Sequence, residues 1–201
     1  MKIGIYGGAF NPVHNGHLHL AHAYQEAEKL DRILFVPTAN PPHKSNADFA
    51  SRADRVNMLR LALEKDSAFE ISEIEFLRQE KSYTYDTICA LRALYPQDHF
   101  YLIVGADQFF AFDQWYKAEE ILSMVTLLSA PRLDEEERRR MAQAKNTMPV
   151  FQGADVHLAD ISVLPMSSDE IRTRIQAGAP IDGCVPKKVC EYIYRKGLYN
   201  V

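Results

Sequence analysis

Short apolar runs alternate with amphipathic stretches along the whole chain. Runs at Ile3–Tyr6, Ile33–Val36, Phe69–Ile74, Phe100–Val104 and Val125–Leu128 have the length and the branched or aromatic content of strands. A further strand is expected at Val150–Phe151 or at Val156–Leu158. Helical patterns lie between them, near Leu18–Lys29, Arg52–Lys65, Tyr85–Leu94, Ala118–Leu122 and Glu135–Ala144. The stretch Pro186–Tyr194, ending near Lys196-Gly197, predicts a last helix with basic residues at its C-terminal end, packed on the sheet. This alternation predicts an α/β protein: a doubly wound, mainly parallel sheet with helices on both faces and a small C-terminal helical segment. Ligands of such sheets bind beyond the carboxyl ends of the strands. The loops after Tyr6, Val36 and Val104 are therefore expected to converge on one cleft.

Neither a repeat nor a low-complexity linker interrupts the pattern, and 201 residues suit a single domain, 1–201, that buries roughly 70% of its unfolded surface. A formal charge of −4 argues against broad nucleic-acid binding, which needs many Lys and Arg contacts to phosphate, but permits a local basic pocket. No run is long enough to span a bilayer, and Met1 leads straight into a strand rather than a signal peptide. Cys89, Cys184 and Cys190 are too few and too irregular for a disulfide framework or a zinc site, so reduced thiols in a cytoplasmic protein are expected. Asp134–Arg140 sets acids before bases along a helix, which suits the helix dipole and a solvated face.

The chemistry concentrates where the first strand ends. Gly7-Gly8-Ala9-Phe10-Asn11-Pro12-Val13-His14-Asn15-Gly16-His17 runs from that strand into a helix. Glycines let the backbone approach an anion, and the free amides of a helix's first turn point at it. His14 and His17, at i and i+3, can then donate hydrogen bonds to phosphate oxygens. The dinucleotide pattern G-x-G-x-x-G is absent. A zinc site on the two histidines lacks an identifiable third ligand. Ser167-Ser168-Asp169-Glu170-Ile171-Arg172 is a second candidate. Ser167 and Glu170 have capping-box spacing, a sufficient structural role on its own. Functionally, the hydroxyls, the helix amides and the Arg172 fork could clasp a polyphosphate.

His14-Asn15-Gly16-His17 resembles the H-x-G-H signature of the nucleotidylyltransferase superfamily. The chain is similar over nearly its whole length to the bacterial nicotinate-nucleotide adenylyltransferase family. The matching stretches are Pro41-Pro42-His43-Lys44, Ser82–Thr87, Gly105-Ala106-Asp107 with Trp115, Ser167–Arg172, and Tyr192-Ile193 to Gly197-Leu198-Tyr199. The resemblance implies a Rossmann-like sheet and transfer of the adenylyl group of ATP to nicotinate mononucleotide, with Mg²⁺ held mainly by the ATP phosphates. It implies His14, His17 and Arg172 as catalytic residues. Gly8, Ala9, Phe10, Gly105, Asp107, Ser167 and Ser168 would join them in binding ATP. On the acceptor side, the ring of Trp115, followed by Tyr116, would stack on the pyridine. Tyr83-Thr84 amides would read the nicotinate carboxylate, Asp107 a ribose hydroxyl, and Lys44 the mononucleotide phosphate. Asp169 departs from the family pattern, which has a threonine after the two serines; its carboxylate is expected to point outward, away from phosphate.

The reaction so implied asks for little proton chemistry. A mononucleotide phosphate is already ionised at neutral pH, so alignment and relief of charge repulsion suffice, and no covalent intermediate is needed. Three alternatives remain at this level. One is a related adenylyl- or cytidylyltransferase with another acceptor, such as a pantetheine phosphate. A synthetase-like activating domain is disfavoured by the short, acidic chain. A nucleotide sensor that has lost catalysis is disfavoured by intact His14, His17 and Arg172. A homo-oligomer is compatible with the chain, and the segment Thr38–Ala50 is the loop expected to move on binding.

Overall fold

The computed structural model describes residues 1–39, 49–78, 81–131 and 135–200. Six strands form one sheet: β1 (Lys2–Gly8), β2 (Arg32–Pro37), β3 (Phe69–Ile71), β4 (His99–Ile103), β5 (Val125–Ser129) and β6 (Val156–Leu158). Their order is β3-β2-β1-β4-β5-β6 and every pairing is parallel. Helices α1 (Asn15–Glu28), α2 (Arg52–Leu63), α3 (Thr84–Leu94), α4 (Ala106–Phe110), α5 (Ala118–Leu122), α6 (Glu135–Thr147), α7 (Ser168–Gln176) and α8 (Lys187–Lys196) cover it.

The strands read as unbroken apolar runs because both faces of the sheet are buried. Successive side chains still alternate between two cores. Tyr6, Ile33 and Phe35 pack with Leu20, Met58, Ile171 and Val189 from α1, α2, α7 and α8. Ile3, Ile5, Leu34 and Val36 pack on the other face with Leu91, Phe109, Ile121 and Met141 from α3 to α6. The expected doubly wound sheet with helices on both faces is therefore present. Chain order reverses beside β1, with β2 and β3 on one side and β4 to β6 on the other. A crevice opens at such a switch point, beyond the carboxyl ends of β1 and β4.

Two elements differ from the sequence reading, and one open alternative is decided. Phe69–Ile74 splits: β3 stops at Ile71, paired with Phe35, and Ile74–Leu77 forms a 3-10 turn that buries Ile74 and Glu75. Of the two candidates for the sixth strand, Val156–Leu158 pairs with β5, while Val150–Phe151 lies in a 3-10 turn opened by Pro149. The first helix begins at Asn15 rather than Leu18, so Gly16 and His17 lie in its opening turn. Among the described residues, no helix is long and apolar enough to cross a membrane, and Cys89, Cys184 and Cys190 are unbridged.

Helix α8 is tied to α2 by a polar contact with a pH signature. The Tyr192 hydroxyl donates to Asp54 (2.7 Å) and the Ser51 hydroxyl to the other carboxylate oxygen (2.6 Å). The Ser51 hydroxyl, with a smaller contribution from Tyr192, holds the Asp54 carboxyl below its ordinary range against the opposing effect of burial. A carboxyl depressed on folding stabilises the protein while ionised, and that stability is lost as pH falls through the folded-state value. The thermal midpoint of the parent protein is therefore expected to fall more steeply than that of Asp54→Asn below about pH 4. Parallel midpoint curves would show that Asp54 contributes nothing there.

Candidate active site

The paired glycines that end strand β1 lie in the sheet, Gly7 opposite Val36 and Gly8 opposite Pro37, and the chain turns only at Ala9. A Cβ on Gly8 would come within 3.1 Å of the Phe10 ring, which folds back over it. Phe10 takes a left-handed backbone (φ 47), a conformation that costs a side-chain-bearing residue about 1–3 kcal/mol and persists only where its surroundings hold it. Its ring is buried edge-on against Tyr6 and His17. The backbone is held as well. The Ala9 carbonyl accepts from Arg55 Nη1 (2.8 Å), that of Asn11 from Arg172 Nη1 (2.8 Å), and that of Pro12 from the Ser168 hydroxyl (2.9 Å).

The histidines at the start of α1 cap each other. The backbone N–H of His17 donates to Nδ1 of His14 (3.3 Å), and the N–H of His14 donates to Nδ1 of His17 (3.2 Å). Their rings stack with centroids 3.6 Å apart. A ring nitrogen that accepts an amide proton carries none itself, so each neutral imidazole holds its proton on Nε2. The caps thus turn both residues into Nε2–H donors. Gly16 makes room for the stack, since a Cβ there would lie 3.0 Å from His14 Nδ1.

Residues 163–166 and the start of α7 form the facing wall. Ser167 caps α7 by accepting from the Glu170 N–H (3.1 Å), while the Glu170 carboxylate turns to Arg174 (2.8 Å), so only half of the expected capping box forms. Asp169 does not simply point outward. Its carboxylate, although solvent-exposed, lines the cavity and accepts from Arg172 Nη2 at 2.6 Å. Three residues apart at the start of a helix, the two side chains share one face, so the Arg172 guanidinium is paired within its own helix.

The cavity so enclosed measures about 650 Å³. It brings together Ala9, Phe10, His14, His17, Gly105, Asp107, Ser167, Ser168 and Arg172. Tyr6, Asn11, Leu20, Phe49 and Gln108 are among the residues that join them beyond the sequence reading. Gly8 does not line it; its part is to admit Phe10. Nor do Tyr83, Thr84, Trp115 and Tyr116; of these, Tyr83 and Tyr116 meet at the start of α3. There Tyr83 and Tyr116 rings lie 4.9 Å apart and Lys117 Nζ sits 4.1 Å over Tyr85. Tyr83 caps α3 without a side-chain hydrogen bond. Trp115 stacks on Phe112 at 4.8 Å. Lys44 and most of the segment Thr38–Ala50 lie outside the described residues.

Sequence reasoning missed Arg55, which is buried on the apolar stripe of α2 with Leu59 and Ala62. Burial pushes its guanidinium down from the ordinary arginine value, and Nε finds no partner among the described residues. A cation placed four and seven residues before buried apolar positions was the available signal. Tyr199, which the sequence marks only as part of a terminal match, donates its hydroxyl to Asn11 Oδ1 at 2.9 Å.

The Cytidylyltransferase-like family model matches residues 5–174. A probable nicotinate-nucleotide adenylyltransferase of Desulfitobacterium hafniense (strain Y51) is 38% identical over 200 residues, covering 100% of this chain and 96% of that protein. The nicotinate-nucleotide adenylyltransferase of Bacillus subtilis (strain 168) is 35% identical over 199 residues, covering 99% and 98%. In fold, the chain resembles Plasmodium falciparum nicotinic acid mononucleotide adenylyltransferase complexed with NaAD, with a TM-score of 0.77, 20% identity and coverage of 98% and 97%. Full-length identity at this level, on a sheet whose switch point carries the H-x-G-H corner, places the chain in the nicotinate-nucleotide adenylyltransferase family of cytidylyltransferase-like proteins.

Proposed function

We propose that the chain, acting as one unit over residues 1–201, transfers the adenylyl group of ATP to nicotinate mononucleotide, giving nicotinate adenine dinucleotide and pyrophosphate in NAD biosynthesis. The observation that carries this reading is the reciprocal cap of His14 and His17, which sets the proton of each neutral ring on Nε2 beside the cavity that Arg172 also lines. The full-length likeness to proteins named for this activity supports the acceptor.

The mononucleotide phosphate attacks the α-phosphorus of ATP in line; one P–O bond forms as the bond to pyrophosphate breaks. No enzyme nucleophile takes part. Holding the two phosphates in line contributes about 7–11 kcal/mol. His14, His17 and Arg172 donate to the phosphoryl oxygens where charge develops, and the amides of Ala9 and Phe10 and the Ser167–Ser168 turn hold the rest of the chain of phosphates. Gly105 and Asp107 take the nucleoside, Asp107 through a ribose hydroxyl. Among the described residues no three His, Cys, Asp or Glu side chains cluster as a metal site. The cavity's N–H and guanidinium donors suit phosphate oxygens, so Mg²⁺ would be held by ATP and water, where it neutralises phosphate charge. Trp115, Tyr116 and Lys44 are assigned to the acceptor, and the uncapped first turn of α3 at Tyr83-Thr84 to its carboxylate.

A carboxylate reader implies an acid preference. Pyrophosphate release is expected to be about 10- to 100-fold more efficient, as kcat/KM, with nicotinate than with nicotinamide mononucleotide, the worth of charge-assisted hydrogen bonds. Equal rates would remove the α3 assignment. Preference for phosphopantetheine would keep the phosphate site and overturn the acceptor.

A further inference from the structure

The strained corner at Phe10 is held partly by the far end of the chain. Asn11 is buried, and its Oδ1 accepts from the Ala50 N–H and from the Tyr199 hydroxyl, both at 2.9 Å. Asn11 lines the cavity, its own carbonyl accepts from Arg172 Nη1 (2.8 Å), and it stands next to the left-handed Phe10. The C-terminal region also grips the first residue of α1: the Asn15 N–H donates to the Cys184 carbonyl (2.9 Å) and its side-chain amide to that of Gly183 (2.8 Å). Asn15 follows His14 directly and lies, with Gly16, between the two histidines that cap each other. The segment behind Tyr199 is itself fixed. Gly197 ends α8 in the left-handed conformation and the Leu198 N–H returns to the Ile193 carbonyl (3.1 Å). Val189 and Ile193 are fully buried.

We propose that Tyr199 is a positioning residue for adenylyl transfer: acting through Asn11, it holds the corner from which His14 and His17 meet the phosphates. For its kinetic consequence this rests on the function proposed above. The hydroxyl touches no reacting atom. It fixes the Asn11 side chain, next to a backbone whose φ at Phe10 is unfavourable and survives only where its surroundings hold it. Burial pushes the Tyr199 hydroxyl well above the ordinary tyrosine value, with the nearby Arg172 and Arg55 acting in the opposite direction, so it stays a donor throughout the neutral range.

Tyr199→Phe keeps the packed ring and deletes only the donor. Turnover with ATP and nicotinate mononucleotide is expected to fall about tenfold, less than the loss from a full 1 Å misplacement. The thermal midpoint should drop by no more than about 4 °C. Asn11→Ala should lower turnover too, and the double variant should be no slower than Asn11→Ala alone, because the two residues act as one path. Multiplying losses would mean that Tyr199 acts elsewhere and would overturn the proposal, as would an unimpaired Tyr199→Phe beside an active parent. A second readout needs no activity: the imidazole ¹⁵N resonances of His14 and His17 should shift in Tyr199→Phe without substrate. Unmoved resonances overturn the proposal even if the parent releases no pyrophosphate. An inactive parent with shifted resonances would overturn the function reading alone.

Discussion

His17→Asn is expected to lower turnover in pyrophosphate release by about 100- to 1,000-fold, the loss that follows removal of one donor to developing charge. The same variant should keep its thermal midpoint within about 4 °C of the parent. Both halves follow from the reciprocal cap. His17 uses Nδ1 to accept the His14 N–H, and the asparagine Oδ1 can accept in its place. What asparagine cannot supply is a donor at the position of Nε2. Fold and function are thereby separated within one side chain. His17→Ala would confuse them: both substitutions lose the ring that stacks on His14 at 3.6 Å, but alanine also removes the acceptor for the His14 N–H. The measurement is a steady-state assay with saturating ATP and nicotinate mononucleotide beside a melting curve. An active His17→Asn would show that His17 serves only to start the helix. A variant that is both inactive and poorly folded would show that asparagine does not replace the cap.

Periodicity and glycine chemistry carried most of the architecture. The strands at Ile3, Ile33, Phe100 and Val125 are legible because both their faces are buried, so apolarity is continuous and turn residues bound it. Strand order is not legible in the same way, because it is decided by crossovers that no local pattern records. The end of β3 was misjudged because Ile74 is as apolar as Ile71. Only the register against Phe35 shows that the chain leaves the sheet between them. The Gly7–His17 corner is visible in the sequence as a motif, yet its internal logic is not. Nothing in His14-Asn15-Gly16-His17 says that the two rings cap one another and so choose their own tautomer. Asp169 was judged from its charge alone, which predicts avoidance of phosphate; its pairing with Arg172 depends on α7 starting at Ser168. Arg55 and Tyr199 make their decisive contacts across a large gap in sequence. The place of Arg55 on the apolar stripe of α2 marks it as buried but not which carbonyl it reaches, and Tyr199 leaves no periodic trace at all.

Arg172→Ala is expected to reduce kcat/KM for ATP by about 100-fold or more, through loss of charge-assisted bonds to phosphate. A second effect works in the same direction, since Arg172 also secures the Asn11 carbonyl at 2.8 Å. Arg172→Lys should recover little of this, because a single ammonium cannot reach Asn11 and a phosphate from one planar fork. Asp169 modulates the same residue with the opposite sign. Its carboxylate holds Arg172 Nη2 at 2.6 Å in the structure, so a phosphate must displace it or share the guanidinium. The pair is exposed on the Asp169 side, and such pairs are worth about 0.2–1 kcal/mol. Asp169→Asn should therefore lower the KM for ATP, but only by about two- to fivefold. In the Arg172→Ala background that gain should vanish, because the carboxylate no longer has a cation to withhold. If Asp169→Asn helps equally in both backgrounds, the carboxylate repels phosphate directly. If it raises the KM, the pair prepares Arg172 for ATP instead of competing for it. The three outcomes differ in sign or in coupling, so one assay over four proteins separates them.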